Sequence, residues 1–274
     1  MNMQHTIKAG YVTTEGDTLY YEVQGQGEAL LMIAGGDGDA GYFSKITGLL
    51  ADNYQVITYD RRGNSRSTRN DQQNFDIGQQ ARDAIAVMQA AGHRAAHILS
   101  TSGGSITAFE LAKNHKNAVK TVIVHEPPVV RMLPEANELL AKFASIYDAV
   151  YNQGHTKAME IFMQMIVVAP SLYTCYPHDL AERNEQNNEF SMKFGLIPTV
   201  NYKPDIAAIK NNGVKLITAV GEVTLAAKAF YGMTAVTIAG LLNAEAIVFP
   251  GHHLSYIDMP VEWAAKLKEV LLNT

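Results

Sequence analysis

The sequence has a single cysteine, Cys175, so the chain cannot form a disulfide bond within itself. It has no basic run beyond Arg61-Arg62, and its net charge of −5 gives no electrostatic footprint for nucleic acid. It contains no apolar run long enough to span a membrane and none of signal-peptide length near the N-terminus. We therefore expect a soluble, cytoplasmic protein that binds neither nucleic acid nor a membrane.

The composition is typical of a globular protein with a substantial core, because 47% of the 274 residues are hydrophobic and 18% are charged. Short apolar runs that are typical of strands alternate with helical patterns, which predicts an α/β fold. The expected architecture is a mostly parallel, doubly wound sheet of about eight strands. The candidate strands are residues 8–14, 18–24, 29–34, 55–60, 96–100, 119–126, 214–222 and 244–251.

One region interrupts this alternation. From about residue 127 to residue 203 the patterns are helical and no convincing strand occurs. A stretch of this length is too long for a simple connection between two strands. We therefore predict a core domain of residues 1–127 and 206–274, and an inserted helical cap of residues 128–205. Most of the methionines and tyrosines in this segment are expected to form its own core, and a minority could line an adaptable apolar pocket, since methionine re-packs around varied shapes.

The segment "HILSTSGGSITAFELA" (97–112) predicts a strand, a sharp turn and a helix. A nucleophile on such a turn sits in a strained backbone conformation, so the residues two before and two after it must be small. Ser102 has Ser100 before it and Gly104 after it, and both are small. Ser102 is therefore the candidate nucleophile, while Ser105 falls at the start of the helix and is expected to cap or pack.

A serine nucleophile needs a base, and the base needs an acid that orients it. The segment "FPGHHLSYIDMP" follows the last candidate strand and contains two adjacent histidines, His252 and His253. Two acids, Glu126 and Glu222, each end an apolar candidate strand. The carboxyl ends of parallel strands meet at one edge of a sheet, so all of these side chains are expected near Ser102.

Backbone N–H groups are needed to bind the oxyanion of an acyl-transfer intermediate. Gly103, the residue after the candidate nucleophile, would supply one, and Gly36 in the loop "AGGDGDAG" would supply the other. The same loop has no phosphate-binding glycine frame, and its two aspartates would repel phosphate, which argues against a nucleotide site.

These motifs resemble those of the α/β-hydrolase superfamily over nearly the whole chain. "ALLMIAGGDGDAGYF" resembles its oxyanion-loop strand, "YDRRGNSRS" its Asp-x-Arg-Gly-x-Gly-x-Ser loop with Ser65 for a glycine, and "STSGGS" its nucleophile elbow. In the family's histidine loop an acid follows the catalytic histidine by five residues and a proline by seven. Asp258 follows His253 by five residues and Pro260 follows it by seven, so His253 matches the catalytic histidine and His252 is the alternative base. The helical insert resembles the family's cap.

The sequence departs from the family at the acid. Many members place an aspartate three residues after the glycine that ends the penultimate strand, and here Thr224 occupies that position after Gly221. A subset, including some haloalkane dehalogenases and related luciferases, carries a glutamate after the strand that follows the elbow helix. Glu126 matches that place, 24 residues after Ser102. The resemblance thus favours Glu126, with Glu222 as the alternative acid.

The resemblance implies a serine hydrolase that cleaves a small to medium, partly apolar carboxylic ester or related acyl compound through an acyl-enzyme. A serine nucleophile argues against dehalogenation, which needs a carboxylate. Acyl transfer, perhydrolysis and carbon–carbon bond hydrolysis are alternatives with the same triad, and a non-catalytic small-molecule-binding protein is an alternative of another class. We expect a small-molecule substrate and no metal or organic cofactor. The oligomeric state stays open, a homodimer included.

Overall fold

A computed structural model describes residues 5–71 and 75–274 of the chain. Residues 1–4 and 72–74, which fall within the predicted core segment 1–127, lie outside the described residues. Eight strands in the described chain form one sheet. They are β1 (Lys8–Thr14), β2 (Asp17–Gln24), β3 (Glu28–Ile33), β4 (Tyr54–Tyr59), β5 (Ala96–Thr101), β6 (Val119–His125), β7 (Lys215–Gly221) and β8 (Ile247–Phe249).

The strands lie in the order β1-β2-β4-β3-β5-β6-β7-β8. β2 pairs antiparallel with both β1 and β4, and every other neighbouring pair is parallel. This confirms the prediction of a mostly parallel sheet of eight strands. Every residue of β5 is buried, and so is all of β3 after its first residue, as expected for strands covered on both faces.

The helices of the described chain follow the predicted alternation. In chain order they are α1 (Ser44–Leu50), α2 (Ile77–Ala90), α3 (Ser105–Asn114), α4 (Ala136–Gln153), α5 (His155–Met163), α6 (Ser171–Cys175), α7 (His178–Phe190), α8 (Leu196–Asn201), α9 (Ile206–Asn211), α10 (Glu222–Ala226), α11 (Phe230–Leu241), α12 (Ser255–Asp258) and α13 (Pro260–Leu272).

The two faces of the sheet each bury a separate apolar cluster. One cluster includes side chains of α2, α3, α9 and α11, and the other includes side chains of α1, α12 and α13. In α13, Trp263 and Leu267 are fully buried, so one face of this helix joins the second cluster. Helices therefore cover both faces, which makes the sheet doubly wound.

The first two strands form a hairpin, which the short Glu15-Gly16 connection between two candidate strands predicts. Glu15 and Gly16 connect β1 to β2 and have φ of 47° and 83°. A two-residue hairpin turn needs positive φ at both positions to match the twist of its strands, and glycine adopts it without strain.

Helices α4 to α8 all lie between β6 and β7, in the segment predicted to form the cap. They enclose a third apolar cluster that includes Phe143 and Ile146 of α4 and Met192. The sequence pattern predicts helices over 155–167 and 179–195, and the ends of both differ in the structure. α5 ends at Met163 instead of continuing to 167, because the Val167 N–H donates to Tyr231 Oη at 2.6 Å and ties the chain to the core.

The second difference is a π-helical turn, Ser191–Gly195, which joins α7 to α8. The sequence pattern predicts that this helix ends near residue 195, whereas α8 continues it to Asn201. Pro198 has no N–H to donate to the carbonyl four residues earlier, and the widened turn contains that carbonyl. Within the described residues, no helix is both long enough and apolar enough to cross a membrane.

Candidate active site

Ser102 lies at the turn between β5 and α3. Its φ is 47°, a left-handed conformation that is strained for any residue with a side chain. A Cβ atom on Gly104 would lie 2.5 Å from the carbonyl oxygen of Ala34, so the turn can form only with glycine at this position. The backbone thus has the strained, crowded form that the motif predicts, and it projects Ser102 from the carboxyl end of β5.

Ser100 occupies the position where the family pattern has glycine. Its side chain is fully buried, and Oγ lies 3.4 Å from both the Ile123 carbonyl oxygen and Ser105 Oγ. A buried hydroxyl is tolerated when it finds such partners. Ser100 and Ser105 therefore belong to the packing beneath the turn.

We expect Ser100→Gly to keep the reactivity of Ser102 while lowering the free energy of unfolding by about 1 kcal/mol, since glycine in a strand costs conformational entropy. Urea unfolding followed by circular dichroism measures the stability. Loss of Ser102 reactivity in a folded Ser100→Gly variant would show that Ser100 does more than fill the turn.

Glu126 and His253 are brought together by the ends of β6 and β8. His253 Nδ1 lies 2.5 Å from Glu126 Oε2, and the Gly221 N–H donates to Glu126 Oε1 at 2.8 Å. Glu126 is fully buried, and its φ of 52° turns the chain sharply after β6. Because an ionised carboxylate only accepts hydrogen bonds, Nδ1 carries the proton and Nε2 is the basic nitrogen.

The surroundings of Glu126 favour its ionised form. Burial acts to raise its pKa, but the neighbouring His125 and His253 rings and the Gly221 N–H together bring the pKa below the ordinary value. His125 itself is fully buried, and burial lowers its pKa to about 4, so it is neutral near pH 7.

The alternative residues are placed differently. Glu222 is exposed at the start of α10 and accepts a hydrogen bond from the Gly251 N–H at 3.3 Å. His252 Nε2 lies 3.1 Å from Asp258 Oδ2, and Ser171 Oγ donates to the same oxygen at 2.5 Å. His252 and Asp258 thus join the histidine loop to α6, whereas among the described residues Glu222 hydrogen-bonds neither histidine.

The two predicted oxyanion donors are adjacent. The Gly36 nitrogen would lie 3.6 Å from a Cβ atom placed on Gly103, so the two backbones approach each other closely beside Ser102. Arg61 Nη2 donates to the carbonyl oxygens of Gly35, at 2.5 Å, and Gly36, at 2.8 Å. The Gly35 carbonyl and the Gly36 N–H belong to one trans peptide unit, so this contact fixes the direction of the N–H.

Sequence reasoning missed two residues that hold this loop. Arg61 carried only the weak signal of a second arginine in the Asp-x-Arg-Gly segment. Ser191 of the π-helical turn donates to the Gly36 carbonyl oxygen at 2.8 Å and had no sequence signal. It brings the segment between β6 and β7 into direct contact with the candidate oxyanion loop.

Ser102 and His253 line one cavity of about 1070 Å³, its open mouth included. The walls are largely apolar and come mainly from the segment between β6 and β7, with Phe143, Phe162 and Leu196 among them. Of the five methionines of that segment, Met159, Met163 and Met192 line the cavity, and Met132 and Met165 do not. In the part of the chain that the structure describes, no group of three potential ligands is placed to hold a metal ion.

Comparisons with known proteins identify the family. Residues 28–203 match the family described as the alpha/beta hydrolase fold, which is more than half of the chain. The chain therefore belongs to this hydrolase family, and the predicted fold is confirmed. The uncharacterized hydrolase YraK of Bacillus subtilis (strain 168) is 27% identical over 97% of both chains.

Two solved structures share the fold over almost the entire chain. A thermophilic esterase from Thermogutta terrifontis is 18% identical, with a TM-score of 0.75 over 97% of this chain and 98% of its own. The enol-lactonase from Burkholderia xenovorans LB400 is 16% identical, with a TM-score of 0.73 over 96% of this chain and 100% of its own. At such identities the likeness is one of fold.

Proposed function

We propose that the protein is a serine hydrolase that cleaves a small to medium, partly apolar carboxylic ester through an acyl-enzyme. The observation that carries the proposal is the 2.5 Å contact between His253 Nδ1 and Glu126 Oε2, in a cavity that Ser102 also lines. A nucleophile on a strained turn, a histidine and a buried carboxylate are the three parts that serine acyl chemistry needs.

In the proposed mechanism His253 Nε2 takes the proton of Ser102 as Oγ attacks the ester carbonyl. The N–H groups of Gly36 and Gly103 stabilise the tetrahedral oxyanion. His253 then protonates the departing alcohol, and an acyl-enzyme remains. Water, deprotonated by the same nitrogen, attacks the acyl carbon, and His253 then gives this proton to Ser102 Oγ as the bond to the acyl carbon breaks and the acid leaves. Glu126 keeps Nδ1 protonated and stabilises the imidazolium that forms in each step.

The nature of the cavity supports an ester with apolar groups. Its walls offer aromatic and methionine side chains, and methionine re-packs around varied shapes. Acyl transfer and perhydrolysis would pass through the same acyl-enzyme and differ only in the second nucleophile.

A fluorophosphonate probe tests the proposal, because it bonds covalently to a serine that a triad activates. We expect the wild-type protein to be labelled and Ser102→Ala not to be. Ser145→Ala, which removes an exposed hydroxyl on α4, is the matched control and should be labelled like the wild type. Failure to label the wild type, or equal labelling of Ser102→Ala, would contradict the serine-hydrolase proposal.

A further inference from the structure

One corner of the cavity is polar, in contrast to the apolar walls around it. It consists of Asp37, Arg61 and Asn64, which line the same cavity as Ser102. Arg61 and Asn64 are almost fully buried, at 4% and 2% exposed. We call these three residues the polar corner. Neither the triad nor the oxyanion donors account for the side chains of Asp37 and Asn64.

Each residue of the polar corner has a side-chain atom without a partner among the described residues. Asn64 Nδ2 donates to two backbone carbonyls at 3.2 Å, whereas its Oδ1 is buried and accepts nothing. Arg61 donates through Nη2, whereas its Nε is buried without an acceptor. Asp37 Oδ2 accepts from Tyr42 Oη at 2.6 Å, and within the described chain nothing donates to its Oδ1.

Buried polar atoms are nearly always hydrogen-bonded in folded proteins. Asn64 Oδ1 and Arg61 Nε, an acceptor and a donor that are buried without partners in side chains lining the cavity, therefore indicate a polar group of the ligand. The half-buried Asp37 adds its Oδ1 as a second acceptor. The charges of Asp37 and Arg61 restrict the chemistry of this ligand group. A carboxylate would be repelled by Asp37 and an ammonium by Arg61, and a carbonyl has no hydrogen to give to either acceptor. A hydroxyl group donates one hydrogen bond and accepts others.

We infer that the polar corner binds a hydroxyl group of the substrate, so that the preferred ester carries a hydroxyl close to its reacting carbonyl. The inference rests on the proposed serine-hydrolase function and names the substrate class of that site. The hydroxyl is placed close to the reacting carbonyl because Asp37 directly follows Gly36, the proposed oxyanion donor, and both line the same cavity as Ser102. Asp37 is the principal acceptor, since an ionised carboxylate accepts more strongly than an amide.

The electrostatics of Asp37 are compatible with this role. Burial raises its pKa to about 6, while the Tyr42 hydroxyl and the Arg61 charge act to lower it. Above pH 7 the carboxylate is mostly ionised and its second oxygen is available to a hydroxyl donor.

The test compares matched esters with and without a hydroxyl. One series places it on the acyl chain, with p-nitrophenyl butanoate against its 2-hydroxy and 3-hydroxy derivatives. The other places it on the alcohol, with propyl butanoate against 2-hydroxypropyl and 3-hydroxypropyl butanoate. The measured quantity is the ratio of kcat/KM within each pair. We expect at least one hydroxylated ester to exceed its partner by ~10-fold or more, as for sites that hydrogen-bond a substrate hydroxyl.

Asp37→Leu should bring this ratio to about one or below, and Asp37→Asn should keep part of it, because the amide retains the acceptor oxygen. Met163→Leu changes the apolar side of the same cavity and should leave the ratio as in the wild type. If Asp37→Leu does not fold, the inference is tested with Asp37→Asn alone. A kcat/KM ratio in that variant equal to the wild-type ratio would overturn the inference.

The failure of this inference differs from the failure of the proposed function. Hydrolysis of all the esters without any preference for a hydroxyl would overturn the hydroxyl site and leave the serine hydrolase intact. If no ester is hydrolysed and the fluorophosphonate probe does not react, the proposed function fails. In that case calorimetry measures the affinity for each ester, and the ratio of affinities within each pair replaces the ratio of kcat/KM. Equal affinities within every pair would overturn the hydroxyl site as well.

Discussion

Glu126→Gln is expected to lower kcat by ~10³–10⁴-fold on any ester that the protein hydrolyses, as the loss of a triad acid does elsewhere. Glutamine has nearly the shape of glutamate, but its amide can donate a hydrogen bond where the carboxylate only accepts. An amide nitrogen facing His253 Nδ1 would favour the tautomer with the proton on Nε2, which cannot take the proton of Ser102. Steady-state kinetics with urea unfolding as the stability control measures the effect.

Glu222→Gln is the matched control, because it makes the same chemical change at the other candidate acid. Glu222 is exposed and accepts a hydrogen bond from the Gly251 N–H at 3.3 Å. We expect kcat within about threefold of the wild type, since a weak exposed hydrogen bond contributes little. A collapse of kcat in Glu222→Gln with normal kcat in Glu126→Gln would assign the acid to the other position.

These two acids show what can be predicted from the sequence: the position of a residue at a strand end, but not the direction of its side chain. Periodicity and spacing place Glu126 and Glu222 at the ends of neighbouring strands, and both ends lie at the same edge of the sheet. What separates them is the direction of each side chain, which depends on lateral contacts. The Gly221 N–H, from the adjacent strand, holds one Glu126 oxygen and leaves the other for His253. A contact across 95 residues leaves no local pattern.

The same limit applies to the cavity. The sheet, its order of elements and the Ser102 turn follow from short-range rules: alternation, glycine at tight turns, and apolar runs where both faces are covered. The contacts of Arg61 and Ser191 with the Gly36 carbonyl depend on how a loop and the helices between β6 and β7 pack against the sheet. Such packing depends on contacts between segments that are distant in sequence, so the polar corner could not be predicted from the sequence.

The family-like segment "YDRRGNSRS" also contains the residue for which we expect the largest loss of stability, Arg62. Its guanidinium is 1% exposed and contacts Asp83 through Nε at 2.7 Å and Nη2 at 2.5 Å, and Asp17 through Nη1. Arg62→Met would leave two buried carboxylates without their cation. Removing one partner of a buried ion pair typically costs about 3–5 kcal/mol, and we expect urea unfolding to show a loss of that size.

Arg82→Met is the matched control for this prediction. Arg82 also pairs with a carboxylate, Glu15, at 2.5 Å, but both side chains are more than one-third exposed. Exposed ion pairs contribute about 0–1 kcal/mol, because water solvates the charges whether or not they pair. Equal losses in Arg62→Met and Arg82→Met would mean that burial of the Arg62 pair does not determine its contribution.

The loss caused by Arg62→Met should also depend on pH. Burial raises the pKa of Asp83, and the Arg62 hydrogen bond and charge counteract that rise in the wild type. Without Arg62 the folded-state pKa rises further above the unfolded value of about 3.9, so the folded state holds its proton more tightly. A group of this kind destabilises the fold increasingly as pH rises through these pKa values. The difference in unfolding free energy between wild type and Arg62→Met should therefore be larger at pH 8 than at pH 5. A difference that is constant or shrinks with pH would show that the buried Asp83 charge is not its cause.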